Sequence, residues 1–139
     1  MRITSEQARD LAGVAECHGL RLIVAFGSRA MGRSHPGSDL DIAVLPEPGR
    51  EVSLRGLAGL AADLSRIFPA VEADVSLIPR ADPLFLKKIF ETGILLYGDE
   101  AEFRRYRVYA FRRHSEYLPY LRLEEAATRR LVSRLSHAD

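Results

Sequence analysis

Three carboxylates are the residues of this sequence whose type and spacing most clearly suggest chemistry. Asp39 and Asp41 stand two apart in an apolar run that predicts a strand, so both side chains are expected on one face. Two neighbouring carboxylates repel each other unless a cation neutralises them, and oxygen ligands of this kind suit Mg²⁺. If the predicted strand that carries Asp74 lies beside this one, the three acids would form one site for two metal ions, an arrangement used in phosphoryl transfer.

A phosphate-binding turn is the second component that the sequence predicts. Gly27 ends a predicted strand, and Ser28 is expected to cap a short helix that runs through Met31. Glycine lets the backbone approach a ligand, while the serine hydroxyl and the free N–H groups of a helix start can hold phosphate oxygens. An isolated Asp-x-Asp pair is more typical of a polar strand edge or a turn. Next to such a turn, however, it indicates a nucleoside triphosphate with Mg²⁺.

The elements that must position these residues follow from apolar periodicity and capping signals. The sequence predicts helices over residues 5–18 (with Ser5 as N-cap), 53–68 and 82–92, and strands over residues 21–26, 40–45, 71–78 and 94–97. A further helix is expected from Asp99 to about Tyr117, with an interruption at Pro119 and a last helix to about His137.

This order of elements predicts an α/β (α+β) fold in which a small mixed β-sheet is flanked by helices and followed by C-terminal helices. A chain of 139 residues fits one domain, here residues 1–139. We expect its catalytic core at about residues 10–98 and a helical tail at about residues 99–139.

Composition and charge limit the classes of protein. Apolar residues make up 47% of the chain and charged residues 28%, a balance that excludes a disordered or fibrous protein. A net charge of +1 gives no argument for nucleic-acid or membrane binding, and no apolar run approaches the ~20 residues of a membrane span. The single cysteine, Cys17, excludes an internal disulfide and suits a reducing cytosol. We therefore expect a cytoplasmic protein that binds neither a membrane nor, directly, nucleic acid.

The tail differs from the body in charge. Residues 100–139 carry nine basic and six acidic side chains, whereas residues 1–99 carry eleven and thirteen. Such an Arg-rich tail on a near-neutral body predicts either a surface that binds a partner or a solvated helix face, and the sequence favours neither.

The segment Gly27-Ser28, followed by ten residues and Asp39-x-Asp41, resembles the signature of the DNA polymerase beta-like nucleotidyltransferase superfamily. The wider stretches 26–32 and 38–44 look like the minimal nucleotidyltransferase (MNT) family. The resemblance continues through Val71-x-x-Asp74-Val75 and, more weakly, through residues 93–99, so that it covers about residues 10–100.

This resemblance implies roles for the acidic residues. Asp39 and Asp41 would each bind two Mg²⁺ ions, and Asp74 would bind the catalytic ion and help to deprotonate the attacking hydroxyl. All three would be both metal ligands and catalytic residues of a transferase that uses ATP.

The resemblance also implies a nucleotide-binding set. Gly27 and Ser28 would hold the β and γ phosphates of ATP, and Arg29 and Ser38 would complete the site. For Arg29 two interpretations are open, because its guanidinium could reach a phosphate or pair with a nearby acid.

Small proteins of this family are often MntA-type antitoxins of MntA/HepT (MNT/HEPN) toxin–antitoxin pairs, which transfer AMP from ATP to a tyrosine of a HEPN-domain ribonuclease toxin. The resemblance implies this function, a HEPN-domain toxin as partner and a hetero-oligomer with it. Only about 40 residues follow the predicted sheet, which favours an acceptor presented by a partner. Two alternatives stay open: a nucleotidyltransferase that acts on a small molecule or an RNA end, and an antitoxin that neutralises by binding alone.

Overall fold

A four-stranded mixed sheet forms the centre of the protein, whose computed structural model describes residues 1–33 and 35–137. The strands are β1 (Leu20–Phe26), β2 (Leu40–Pro46), β3 (Ala73–Leu77) and β4 (Ile94–Tyr97), in the spatial order β3-β2-β1-β4. β1 is antiparallel to both β2 and β4, while β2 and β3 are parallel. The small mixed sheet expected from the sequence is confirmed.

Helices cover both faces of this sheet. The helices are α1 (Ser5–His18), α2 (Gly27–Ala30), α3 (Leu54–Ile67), α4 (Pro83–Thr92) and α5 (Glu100–Ser136), and a 3-10 turn (Ile78–Arg80) follows β3. α1 and α3 pack on one face, and α4 packs on the other with α5 against it. The described residues include no helix that is both long and apolar enough to cross a membrane.

Each face of the sheet has its own apolar core. Leu40, Ile42 and Val44 of β2 are buried toward α1 and α3. Ala43 and Leu45 alternate with them and are buried toward α4 and α5. Because Asp41 shares the second face with Ala43, its side chain is placed on the side of the sheet that α4 covers.

The N-cap of α1 is Thr4, so the prediction of Ser5 was wrong. The Thr4 hydroxyl accepts a hydrogen bond from the Gln7 N–H (3.0 Å), and the Gln7 side-chain oxygen accepts one from the Thr4 N–H (2.9 Å). This capping box needs a glutamine or glutamate three residues after the cap. Thr4 has Gln7 at that distance, whereas Ser5 has Ala8, which cannot reciprocate.

α5 continues through Pro119, so the predicted interruption was also wrong. Proline lacks an N–H group, and the carbonyl of Ser115 therefore loses its helical hydrogen bond. Both Ser115 and Pro119 are exposed, so water can solvate that carbonyl in place of the missing bond. The break that proline would cause in a buried helix is thereby avoided.

Candidate functional site

The three predicted acids lie at one edge of the sheet, where β1 ends and β2 and β3 begin. Asp41 and Asp74 are the second residues of β2 and β3 and stand directly opposite each other in the parallel pair. Residues paired in this way project to the same face of a sheet. Asp39 lies just before β2 and is exposed, rather than on the strand as predicted, because pairing with β3 begins at Leu40.

The charges of these acids act on one another. Burial raises the pKa of the Asp41 carboxyl above its usual range, and the carboxylates of Asp74 and Asp39 raise it further. The ammonium group of Lys88 opposes this shift and lowers the pKa of Asp41. The site therefore holds more negative charge than it neutralises by itself, which is the electrostatic condition for binding a cation.

The raised pKa of Asp41 predicts a dependence of stability on pH. As the pH rises through the interval between the ordinary aspartate pKa of about 3.9 and the raised folded-state pKa, the unfolded chain releases its proton first. The free energy of unfolding therefore falls across this interval and stays lower by the full amount at higher pH. We expect Asp41→Asn, which cannot ionise, to raise the Tm at pH ~7 and to lose this advantage below pH ~4.

Thermal unfolding of both proteins over this pH range, without divalent cations, measures the effect. The matched control is Asp10→Asn, an exposed position on α1, which packs on the opposite face of the sheet. Equal Tm changes for the two variants at every pH would contradict the electrostatic origin of the effect.

Gly27 lies directly against Asp41. Its φ of +77° is in the left-handed region that favours glycine. A Cβ atom at this position would overlap the Asp41 side chain at Oδ2. Both the backbone conformation and the space beside the carboxylate therefore require glycine here.

Ser28 does not cap the helix, contrary to the prediction. α2 begins at Gly27 with Phe26 as N-cap and without a side-chain capping bond, since Ser28 already lies inside the first turn. The Gly27 N–H is not free either, because it donates to the Thr92 hydroxyl of α4 (3.3 Å). The half-buried Ser28 nevertheless stays beside Gly27 at the edge where the acids lie.

Arg29 and Ser38 shape the loop that leads into β2. The Arg29 Nε donates to the Ser38 carbonyl (2.8 Å), and the Ser38 hydroxyl accepts from the His35 N–H (3.0 Å). None of the ion pairs found over residues 1–33 and 35–137 involves Arg29, so the structure shows it holding backbone rather than pairing with an acid. These two bonds fix the position of the residue just before Asp39.

Two residues at this edge were missed by the sequence analysis, namely Lys88 and Thr92 of α4. Neither belongs to a recognisable local motif, because their proximity to Gly27 and Asp41 depends on how α4 packs against β1. The sequence did predict free backbone N–H groups at the start of this short helix. Such groups need a hydrogen-bond partner, and this was the only signal that pointed to a hydroxyl such as that of Thr92.

The donor set fits a magnesium ion that arrives with a substrate. Within the described part of the chain, no three or more His, Cys, Asp or Glu side chains are grouped so as to hold a metal ion by themselves. Asp41 and Asp74 nevertheless present carboxylate oxygens from paired strand positions. Mg²⁺ typically takes one or two carboxylates and completes its shell with water and substrate phosphates, so a preformed cage is not needed.

Comparison with known proteins matches most of the chain to one family. The family model described as polymerase beta, nucleotidyltransferase, matches residues 11–102, a span that includes every predicted site residue. No curated protein matches the chain. The matched span and the fold together show a nucleotidyltransferase domain.

Several solved structures share the fold. A chain of a toxin–antitoxin crystal structure with AMP-PNP is 21% identical, with a TM-score of 0.70, over 90% of this chain and 98% of that one. A chain of a tri-AMPylated Shewanella oneidensis HEPN toxin in complex with MNT antitoxin is 18% identical, with a TM-score of 0.66, over 94% and 99%. A chain of a MntA-HepT toxin–antitoxin structure is also 18% identical, with a TM-score of 0.66, over 93% and 99%. At such identities the likeness shows the fold alone.

Proposed function

The chain belongs to the polymerase beta nucleotidyltransferase family, and from this we propose that it is a Mg²⁺-dependent enzyme that transfers AMP from ATP to a tyrosine of a HEPN-domain toxin and so neutralises it. The observation that carries the proposal is the in-register pair of Asp41 and Asp74 beside Gly27. Support for the acceptor comes from structural neighbours, one of which contains a tri-AMPylated HEPN toxin with MNT antitoxin. Support for ATP comes from a neighbour that contains AMP-PNP.

In this proposal the three acids have different roles in the reaction at the α-phosphorus of ATP. Asp39 and Asp41 would hold two Mg²⁺ ions, and Asp74 would also bind the catalytic ion. Bound Mg²⁺ supplies Lewis-acid stabilisation of the charge that develops on the phosphate oxygens. Asp74 also accepts the proton of the tyrosine hydroxyl, a role for which its exposed position at the sheet edge leaves the acceptor room.

The turn at Gly27 and Ser28 binds the β and γ phosphates and directs the α-phosphorus toward the acids. The tyrosine oxygen forms a bond to this phosphorus while the bond to the bridging oxygen of the β-phosphate breaks. The electron pair leaves with pyrophosphate, and AMP stays on the tyrosine. Arg29 of α2 keeps the loop before Asp39 in place through the Ser38 carbonyl, and both residues contact the nucleotide.

The proposed function predicts that metal and nucleotide stabilise the fold together. Mg²⁺ alone should raise the Tm only slightly, because the protein offers it few ligands. Mg²⁺ with ATP should raise the Tm more, since a ligand at 100 times its Kd adds about 2.7 kcal/mol to the native state. A thermal melt with Mg²⁺, with ATP and with both measures this, and a Tm unmoved by the combination would count against a nucleotide site.

We assign toxin binding to the part of α5 that follows Ala110. Of this helix, only Glu102, Phe103 and Ala110 are buried. Large apolar side chains beyond them stand exposed on the helix, namely Phe111, Tyr120, Leu123, Leu131, Val132 and Leu135. Exposed apolar residues in one segment are typical of a protein-binding surface, and the arginines among them add charge contacts.

Removal of residues 119–139 should therefore weaken toxin binding by at least tenfold and leave nucleotide binding intact. The core keeps its contacts, because the buried residues of α5 all lie before the cut. Titration calorimetry with the toxin, and thermal shift with Mg²⁺ and ATP on the same truncated protein, separate the two effects. An unchanged toxin affinity would refute the assignment of this surface.

Intact-mass spectrometry of the co-expressed toxin tests the function itself. The proposal expects a mass gain equal to one or more AMP groups. A toxin of unchanged mass would contradict AMP transfer to this partner. If that unmodified toxin were still inhibited, the chain would neutralise it by binding alone.

A further inference from the structure

Lys88 lies at the same edge as the acids but has no role in the proposed chemistry so far. It stands one helical turn before Thr92 on α4, and the Thr92 hydroxyl donates to the Lys88 carbonyl (3.0 Å). The same hydroxyl accepts the N–H of Gly27, whose α-carbon lies against Asp41. These contacts hold the last helical turn of α4 against the segment Gly27–Ser28, which we propose binds phosphates.

The two lysines of the chain are adjacent in sequence and differ in their surroundings. The Lys87 ammonium is 3.7 Å from the Glu91 carboxylate, an i,i+4 pair on the helix surface. Lys88 is exposed and takes part in none of the ion pairs formed by the residues that the structure describes. Its side chain leaves α4 on the same helix face as that of Thr92, which contacts Gly27, and its charge lowers the pKa of Asp41.

A lysine side chain suits this position. Eighteen of the twenty basic residues are arginine, so lysine is the exception in this chain. An ammonium group is a compact charge on a flexible stem and binds phosphate without requiring the planar, two-pronged geometry of a guanidinium. Such a group can remain near a carboxylate when the site is empty of nucleotide and turn to a phosphate when one enters.

We propose that Lys88 binds the β and γ phosphates of the nucleotide and remains with the pyrophosphate as it leaves. This inference rests on the proposed function and adds an ammonium group to a site whose other predicted positive charge, Arg29, is engaged with the Ser38 carbonyl. Mg²⁺ bound at Asp41 would neutralise that carboxylate, and the Lys88 ammonium group would then face the phosphates held at Gly27 and Ser28. Lys88 is then a substrate-binding residue that acts on the leaving group.

Nucleotides with different numbers of phosphates test the proposal. Lys88→Met should weaken binding of ATP, and of inorganic triphosphate as a competitor, by on the order of tenfold. Its affinity for AMP should stay unchanged, because AMP lacks the β and γ phosphates. Lys88→Arg keeps the charge and should restore most of the ATP affinity.

Lys87→Met is the matched control, since it removes the neighbouring ammonium group from a surface ion pair and should leave all the affinities unchanged. Equal loss of ATP and AMP affinity in Lys88→Met, or no loss at all, would overturn the proposed role of Lys88. A wild-type protein that binds ATP while Lys88→Met binds it equally well refutes this inference alone. A wild-type protein that binds no ATP refutes the proposed function, and the role of Lys88 with it.

Discussion

Asp39→Asn/Asp41→Asn is expected to abolish AMP transfer to the toxin. The double substitution removes the two anionic groups that we propose as Mg²⁺ ligands, and with them several kcal/mol of charge stabilisation in the transition state. Since each 1.36 kcal/mol corresponds to a tenfold change in rate, we expect a loss on the order of 10³-fold or more. Intact-mass spectrometry of the toxin, incubated with ATP, Mg²⁺ and either protein for the same times, measures the rates.

This loss should not come from unfolding. Asparagine has nearly the volume of aspartate, and removal of the partly buried charge at Asp41 relieves repulsion from Asp74. The variant should therefore melt at or above the wild-type temperature when metal is absent. Asp10→Asn, which changes an exposed acid on α1, is the control and should transfer AMP at the wild-type rate.

The outcomes distinguish the alternative functions. If the double variant no longer modifies the toxin but still inhibits it, AMP transfer is not what neutralises the toxin. If the variant modifies the toxin at the wild-type rate, Asp39 and Asp41 are not the metal ligands, and the assignment of the site is wrong. Transfer of AMP to an RNA end or a small molecule, with none to the toxin, would identify a different acceptor.

Local signals allowed accurate prediction of some elements. α4 begins after Asp82, whose carboxylate accepts the Phe85 N–H (2.8 Å), and ends before Gly93, as the Asp-Pro start and the glycine stop indicated. β4 also spans the predicted residues 94–97. In each case the residues that set the boundary lie within a few positions of it, so the local sequence is enough to predict where the element begins or ends.

The arrangement of the site depends on contacts between distant segments, which the sequence indicates less directly. The register of Asp41 and Asp74 requires β3 to pair with β2 in parallel, whereas the sequence analysis stated only the condition that the two strands lie side by side. The hydrogen bond between Gly27 and Thr92 joins residues 65 positions apart. Lys88 had no motif to mark it for the same reason, because only the packing of α4 brings it to the acids.

Gly27→Ala is expected to damage both stability and activity, and Gly32→Ala provides a close control. The two glycines have φ values of +77° and +72°, so alanine meets similar backbone strain at both, roughly 1–2 kcal/mol. At Gly32 no atom of the described residues, apart from its chain neighbours, lies within 4 Å of the added Cβ, whereas at Gly27 the Cβ overlaps the Asp41 carboxylate. Any additional loss in Gly27→Ala therefore measures the contact with Asp41.

We expect Gly32→Ala to keep AMP transfer within a few-fold of wild type and Gly27→Ala to lower it on the order of 10²-fold, since a displacement of about 1 Å at a reacting group has that effect. The stability part can be isolated by repeating both substitutions with Asp41→Ser, which shortens the side chain that the Cβ meets. In that background the Tm loss from Gly27→Ala should fall to that from Gly32→Ala, because only the backbone strain remains. Equal losses at the two glycines in the wild-type background would show that the carboxylate moves aside without cost, and that Gly27 is required for its backbone conformation alone.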